Sequence, residues 1–151
     1  MINNVVVVGS GVMGRGIAYV SAVGGFNVKL VDIEEKALES AKAEINTIFD
    51  KGVKRNKISE EQKAEAQTRL TYRTDLTDAV SDADLVIEAV PEKIAIKKDV
   101  FETIDGHAPK HCLFATNTST MSPTELGSYT TRPEQVIALH LFNPLDMMPR
   151  V

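Results

Sequence analysis

Val5-Val6-Val7-Val8-Gly9-Ser10-Gly11-Val12-Met13-Gly14-Arg15-Gly16-Ile17-Ala18 lies almost at the start of the chain and decides its fold. Four consecutive β-branched residues, with no polar residue between them, read as a strand buried on both faces. A parallel sheet covered by helices demands such a strand. The glycines then match G-x-G-x-x-G, and a helical pattern begins at once. Gly9 permits a tight turn, Gly11 lets a pyrophosphate approach the backbone, and Gly14 lets the helix pack closely on the strand. Val12 and Met13 occupy the first turn of that helix, whose unpaired N–H groups and partial positive charge suit phosphates.

A glycine fingerprint alone is weakly specific, so its context matters. The next strand, Asn27-Val28-Lys29-Leu30-Val31, ends in Asp32, which lies 18 positions past Gly14. That is near the ~20-residue offset of a ribose-binding carboxylate. Asp32 could instead cap the helix that Ile33-Glu34-Glu35 begins, but this leaves the glycines unexplained. Its charge would repel a 2′-phosphate, and Ile33-Glu34-Glu35 contains no Arg to receive one, so NAD is favoured over NADP.

Bulk properties narrow the class. A chain of 151 residues suits one domain, and a net charge of −4 argues against a nucleic-acid footprint. Cys112 is the single cysteine, which excludes an internal disulfide and fits a reducing compartment, the cytoplasm. Its apolar strand context points to inert burial. No run approaches 18 apolar residues, so no membrane span is expected. The first strand begins immediately, which leaves no room for a signal peptide.

Elements alternate along the rest of the chain. A helix is predicted from Glu35 to about Lys54, with Ala37, Leu38, Ala41, Ile45, Ile48 and Phe49 on one face. The charged stretch from Lys51 to Arg69 reads as a helix pair projecting from the sheet. Within it, Lys51, Lys54, Arg55 and Lys57 read as a solvated face, the alternative being a landing site for phosphates of a second nucleotide-like ligand. A short strand at 70–74 and a short helix at 75–80 precede the buried strand 84–90, which Pro91 ends. Ile94 to His107 has helical spacing, with Val100, Phe101 and Ile104 turned inward. A metal held by His107 and His111 is disfavoured, because Pro109 breaks any helical register between them. Cys112 to Thr116 is a strand. Ser122 then caps a short helix that Pro123 opens and Glu125 boxes. A last strand, Val136-Ile137-Ala138-Leu139, leads to His140. The whole is an α/β, doubly wound parallel sheet forming one domain over residues 1–151.

Open α/β sheets bind ligands at the carboxyl ends of their strands. His140 stands at such an end, and imidazole is the side chain that can act as a base near pH 7. Taken alone, a histidine there reads more readily as a satisfied structural residue than as a base. Asn117, Thr118 and Ser119 follow another strand end. A hydroxyl there, like the amide of Asn143, could hold a substrate alcohol or carbonyl oxygen.

Four motifs in order complete the reading: Gly9-Ser10-Gly11-Val12-Met13-Gly14, Glu88-Ala89-Val90-Pro91-Glu92, Asn117-Thr118-Ser119, and His140-x-Phe142-Asn143-Pro144. Together they resemble the NAD-binding, Rossmann-type domain of 3-hydroxyacyl-CoA dehydrogenases, 3-hydroxybutyryl-CoA dehydrogenases included. The resemblance implies that Asp32 binds the adenosine ribose and that Glu92 and Lys97 contact the cofactor. It implies that Ser119 and Asn143 hold substrate or nicotinamide groups and that His140 is the base. The implied reaction is reversible oxidation of a 3-hydroxyacyl-CoA to the 3-ketoacyl-CoA, in fatty-acid or butyrate metabolism. Where the family commonly has a second serine, this chain has Thr120, which keeps the hydroxyl.

The resemblance also implies a glutamate paired with His140, aligned just after Val151, and then an all-helical domain that forms a homodimer and closes over the acyl chain. The 151 residues are therefore expected to be the cofactor-binding part, poorly active alone. Two other readings remain open: a non-catalytic NAD-binding or structural relative, and another NAD dehydrogenase on the same scaffold. The set Ser119, His140 and Asn143 distinguishes the latter.

Overall fold

The computed structural model describes residues 1–117 and 121–139. It contains six parallel strands: β1 (Asn4–Val8), β2 (Asn27–Val31), β3 (Leu70–Arg73), β4 (Leu85–Glu88), β5 (Leu113–Thr116) and β6 (Val136–Ala138). Their order in the sheet is β3-β2-β1-β4-β5-β6. The order therefore reverses between β1 and β4, and this makes a doubly wound sheet with a crevice at that point. The helices are α1 (Val12–Val23), α2 (Glu35–Lys54), α3 (Glu60–Arg69), α4 (Leu76–Ala79), α5 (Ile94–His107) and α6 (Pro123–Gly127).

The valine run has its physical explanation in the two layers of core. Val5 and Val7 face one cluster with Ile17, Leu30, Ile45 and Phe49. Val6 and Val8 face the other, with Val86, Phe101, Ile104 and Phe114. Successive side chains of a strand point to opposite faces, so β1 must be apolar at every position from Val5 to Val8. On the first face the Tyr19 and Phe49 rings meet edge-on, with centroids 5.0 Å apart.

The stretch from Lys51 to Arg69 departs from expectation. α2 runs through Lys54, a turn follows with Asn56 at φ 57°, and α3 starts after Ser59, whose hydroxyl and Gln62 form a capping box. α3 does not project; it packs on α1. Ile58 and Ala66 are buried, and the Arg69 guanidinium donates to the Ala22 carbonyl at 3.0 and 2.8 Å. With so few apolar anchors in so charged a stretch, no hydrophobic stripe announces the packing. The basic residues Lys51, Lys54, Arg55 and Lys57 are exposed, as a solvated face requires.

β4 is shorter than the expected 84–90. Ala89 N–H still donates to Val8 at 2.8 Å, but the next N–H, that of Val90, donates to the side chain of Glu88 at 2.8 Å and leaves the ladder. β5 begins at Leu113, one residue late, because Cys112 N–H is used in a turn with Pro109. No helix among the described residues is long and apolar enough to cross a membrane.

Candidate cofactor site

The strand ends lie in register. Val31, Val8, Glu88, Thr116 and Ala138 form one rung across β2, β1, β4, β5 and β6. The residues that follow them, Asp32, Gly9, Ala89, Asn117 and Leu139, form a second row at the carboxyl edge. Backbone bonds hold that row: Gly9 to Val31 at 2.8 Å, Asn117 to Glu88 at 3.1 Å, Leu139 to Thr116 at 3.0 Å and Asp32 to Arg73 at 3.2 Å. Residues separated by more than a hundred positions thus meet on one edge, across the point where strand order reverses.

Gly9 turns the chain from β1 with φ +106°, and a β-carbon there would lie 2.5 Å from the Ala89 carbonyl oxygen. Gly11, the N-cap of α1, is extended and makes no side-chain cap, and α1 carries no acidic residue in its first turn. Its positive end therefore meets no acidic side chain of its own first turn. A β-carbon on Gly11 would meet nothing within 4 Å. The space above this helix end is open for a ligand. Val12, first residue of the helix, is exposed, whereas Met13 packs against the core.

Asp32 stands at the end of β2. Its Oδ2 accepts from the Ser10 N–H at 3.2 Å and the Ser10 hydroxyl at 2.6 Å, and its Oδ1 accepts from the Glu34 N–H at 3.0 Å. The N-cap of α2 is Glu34 itself. Asp32 thus ties the glycine loop to the β2 end instead of capping the helix. An uncapped helix end, a bare glycine above it and a carboxylate one strand over suit the pyrophosphate and ribose of a dinucleotide.

The β4 side holds a buried ionic cluster that the sequence reading missed. Glu88 and Lys97 are both completely buried. Lys97 Nζ lies 2.7 Å from each Glu88 carboxylate oxygen and 3.2 Å from Glu92 Oε1. The Thr116 hydroxyl donates to Glu88 Oε1 at 2.7 Å. Lys97 was expected to touch the cofactor; its ammonium is buried and paired with Glu88 and Glu92. A signal was available: Lys97, Val100, Phe101 and Ile104 share the inward spacing of α5, so Lys97 occupies an apolar-face position. Removing one partner of a buried pair costs about 3–5 kcal/mol, so the two charges must be kept together.

The other histidines have structural partners. His107 Nδ1 lies 2.9 Å from the Thr103 carbonyl, and His111 Nε2 lies 2.7 Å from Asp84 Oδ1. Ser122 caps α6 by accepting from the Glu125 N–H at 3.0 Å. His140, Ser119 and Asn143 lie outside the described residues.

Residues 4–151 match the family model of the 3-hydroxyacyl-CoA dehydrogenase NAD-binding domain. The chain belongs to this family. As an NAD-binding domain it is 41% identical over 145 residues to a fatty acid oxidation complex subunit alpha of Idiomarina loihiensis, covering 96% of this chain and 20% of that protein. It is 37% identical over 157 residues to the mitochondrial hydroxyacyl-coenzyme A dehydrogenase of Rattus norvegicus, covering 100% of this chain and 50% of that protein. The solved 3-hydroxybutyryl-CoA dehydrogenase of Escherichia coli superposes with a TM-score of 0.93 at 39% identity, over 98% of this chain and 31% of that one. The NAD-binding domain thus spans half or less of the length of these relatives.

Proposed function

We propose that this domain forms the cofactor half of an NAD-dependent 3-hydroxyacyl-CoA dehydrogenase, acting reversibly on a 3-hydroxyacyl-CoA. One observation carries the reading: the glycine loop, Asp32 and Asn117 gather on a single strand edge across the β1/β4 reversal, in a chain that matches the family model over residues 4–151.

The chemistry that bound NAD supplies is acceptance of a hydride from carbon 3 of the substrate. Gly11 and the first turn of α1 receive the pyrophosphate, and Asp32 receives the adenosine ribose hydroxyls. Glu92 and Asn117 line the nicotinamide side. His140 takes the alcohol proton as the carbon–hydrogen bond breaks, leaving the ketone and a protonated imidazole. A positioned base of this kind contributes about 10²–10⁴-fold. Ser119 and Asn143 hold the reacting oxygen or the nicotinamide amide. The proposal includes a helical domain beyond residue 151 that closes the acyl site and makes a homodimer, and a cytoplasmic setting that suits the single buried thiol of Cys112.

The test is acetoacetyl-CoA reduction by NADH in the intact protein. His140→Gln should abolish turnover and keep NADH binding. Retained turnover would remove His140 as the base, and NADH binding without any wild-type turnover would make the domain a non-catalytic relative.

A further inference from the structure

Among the described residues, Glu88 braces both loops on the β4/β5 side of the crevice. Its Oε2 accepts from the Val90 N–H at 2.8 Å, which fixes the backbone just before Pro91 and Glu92. Its Oε1 accepts from the Thr116 hydroxyl at 2.7 Å, and its backbone carbonyl accepts from the Asn117 N–H at 3.1 Å. Through Lys97 it also holds Glu92, whose side chain is 35% exposed at the mouth of the crevice. A carboxylate with no solvent contact can touch no ligand itself. Its four acceptor interactions all run to groups that lead into the site.

The two sides of the crevice differ. Asp32 and β2 lie on one side of the reversal, where the adenosine half belongs. β4 and β5 lie on the other, where the nicotinamide half belongs. We propose that Glu88 is a positioning residue for the nicotinamide half of the cofactor, acting by anchoring Val90, Thr116 and, through Lys97, Glu92. The adenosine half is held independently by Asp32, Ser10 and the helix end. This inference rests on the cofactor reading above and assigns a task to a residue that does not contact the cofactor.

Such a role predicts selectivity rather than a general loss. NADH and ADP share the adenosine ribose and the pyrophosphate, and only NADH carries the second ribose and the nicotinamide ring. In the intact protein, Glu88→Gln should weaken NADH by roughly tenfold or more, the scale of one charge-assisted hydrogen bond, and change ADP by less than about twofold. Fluorescence titration reads the first and calorimetry the second. Because Glu88→Gln leaves Lys97 buried with less countercharge, the double variant Glu88→Leu with Lys97→Met serves as the folding control. Replacing a buried pair by apolar residues of similar volume is commonly neutral or stabilising. This folded variant should show the same selective loss of NADH. Equal weakening of both ligands, or no weakening of either in the folded double variant, would overturn the assignment. Wild-type protein that binds neither ligand would overturn the cofactor reading itself, and this inference with it.

Discussion

A β-carbon on Gly14 would lie 1.7 Å from the carbonyl oxygen of Gly9. The first turn of α1 and the end of β1 therefore touch along bare backbone, and this close approach aims the helix end at the crevice. Gly11 stands between them with open space beside it. The two glycines should separate stability from binding. Gly14→Ala forces the backbone apart and is expected to cost about 3 kcal/mol or more, lowering the melting temperature by roughly 6–12 °C. Gly11→Ala meets no protein atom and has an extended backbone that alanine adopts. It should melt with the wild type yet bind NADH more weakly by about tenfold or more, since its methyl occupies the approach of the pyrophosphate. A Gly11→Ala variant with wild-type affinity would place the phosphates elsewhere.

Asp32 accepts from Ser10 and Glu34 and still presents its carboxylate at the strand edge. A hydrogen bond to a charged group is worth about 1.5–3 kcal/mol, so Asp32→Ala should weaken NADH by one to two powers of ten. It should not confer NADP binding, because Ile33-Glu34-Glu35 supplies no cation for a 2′-phosphate. Fluorescence titration with both cofactors checks this, and unchanged NADH affinity would take Asp32 out of the site.

The parts of the fold that were legible are those where one local pattern suffices. The valine run of β1 is apolar at every position because both faces are covered, and α5 shows its inward face through Val100, Phe101 and Ile104. α3 was misplaced because it packs through Ala66 and the Arg69 guanidinium, neither of which marks an apolar stripe. The pairing of Glu88 with Lys97 was only half legible, through the inward position of Lys97 on α5. The two are brought together only when the chain turns at Pro91 and α5 folds back on β4, and the spacing along α5 does not name the partner that Lys97 meets.

At the opposite edge of the sheet, Asp84 joins the amino-terminal segment to the start of β5. Its Oδ2 accepts from the Asn3 and Asn4 N–H groups at 2.9 Å each, and its Oδ1 lies 2.7 Å from His111 Nε2. The Asn4 backbone bond, then His111 and the Asn3 bond, hold its pKa down to about 2 from an ordinary 3.8. A carboxylate depressed in the folded state stabilises it above the unfolded pKa, and that contribution fades as pH falls toward the folded value. Urea midpoints of wild type and Asp84→Asn should differ most above about pH 4 and converge as pH drops toward about 2. A gap that stays constant over that window would mean the bonds to Asp84 contribute nothing through its charge.

Cys112 offers a probe of opening, since it is the single thiol of the chain and has no exposed surface. Burial pushes its pKa up to about 11, and the nearby Arg132 offsets only part of that shift. Only the thiolate attacks a disulfide reagent, so at pH 8 the raised pKa alone lowers the reactive fraction by about a hundredfold relative to an unfolded chain. Exclusion of the reagent from the packed interior slows reaction further. Labelling with an aromatic disulfide should therefore be slow in the native protein, complete quickly in urea, and follow in between the population of opened molecules. Rapid labelling of folded protein would show that the region between α5 and β5 opens readily, and would contradict a thiol buried in the second core layer.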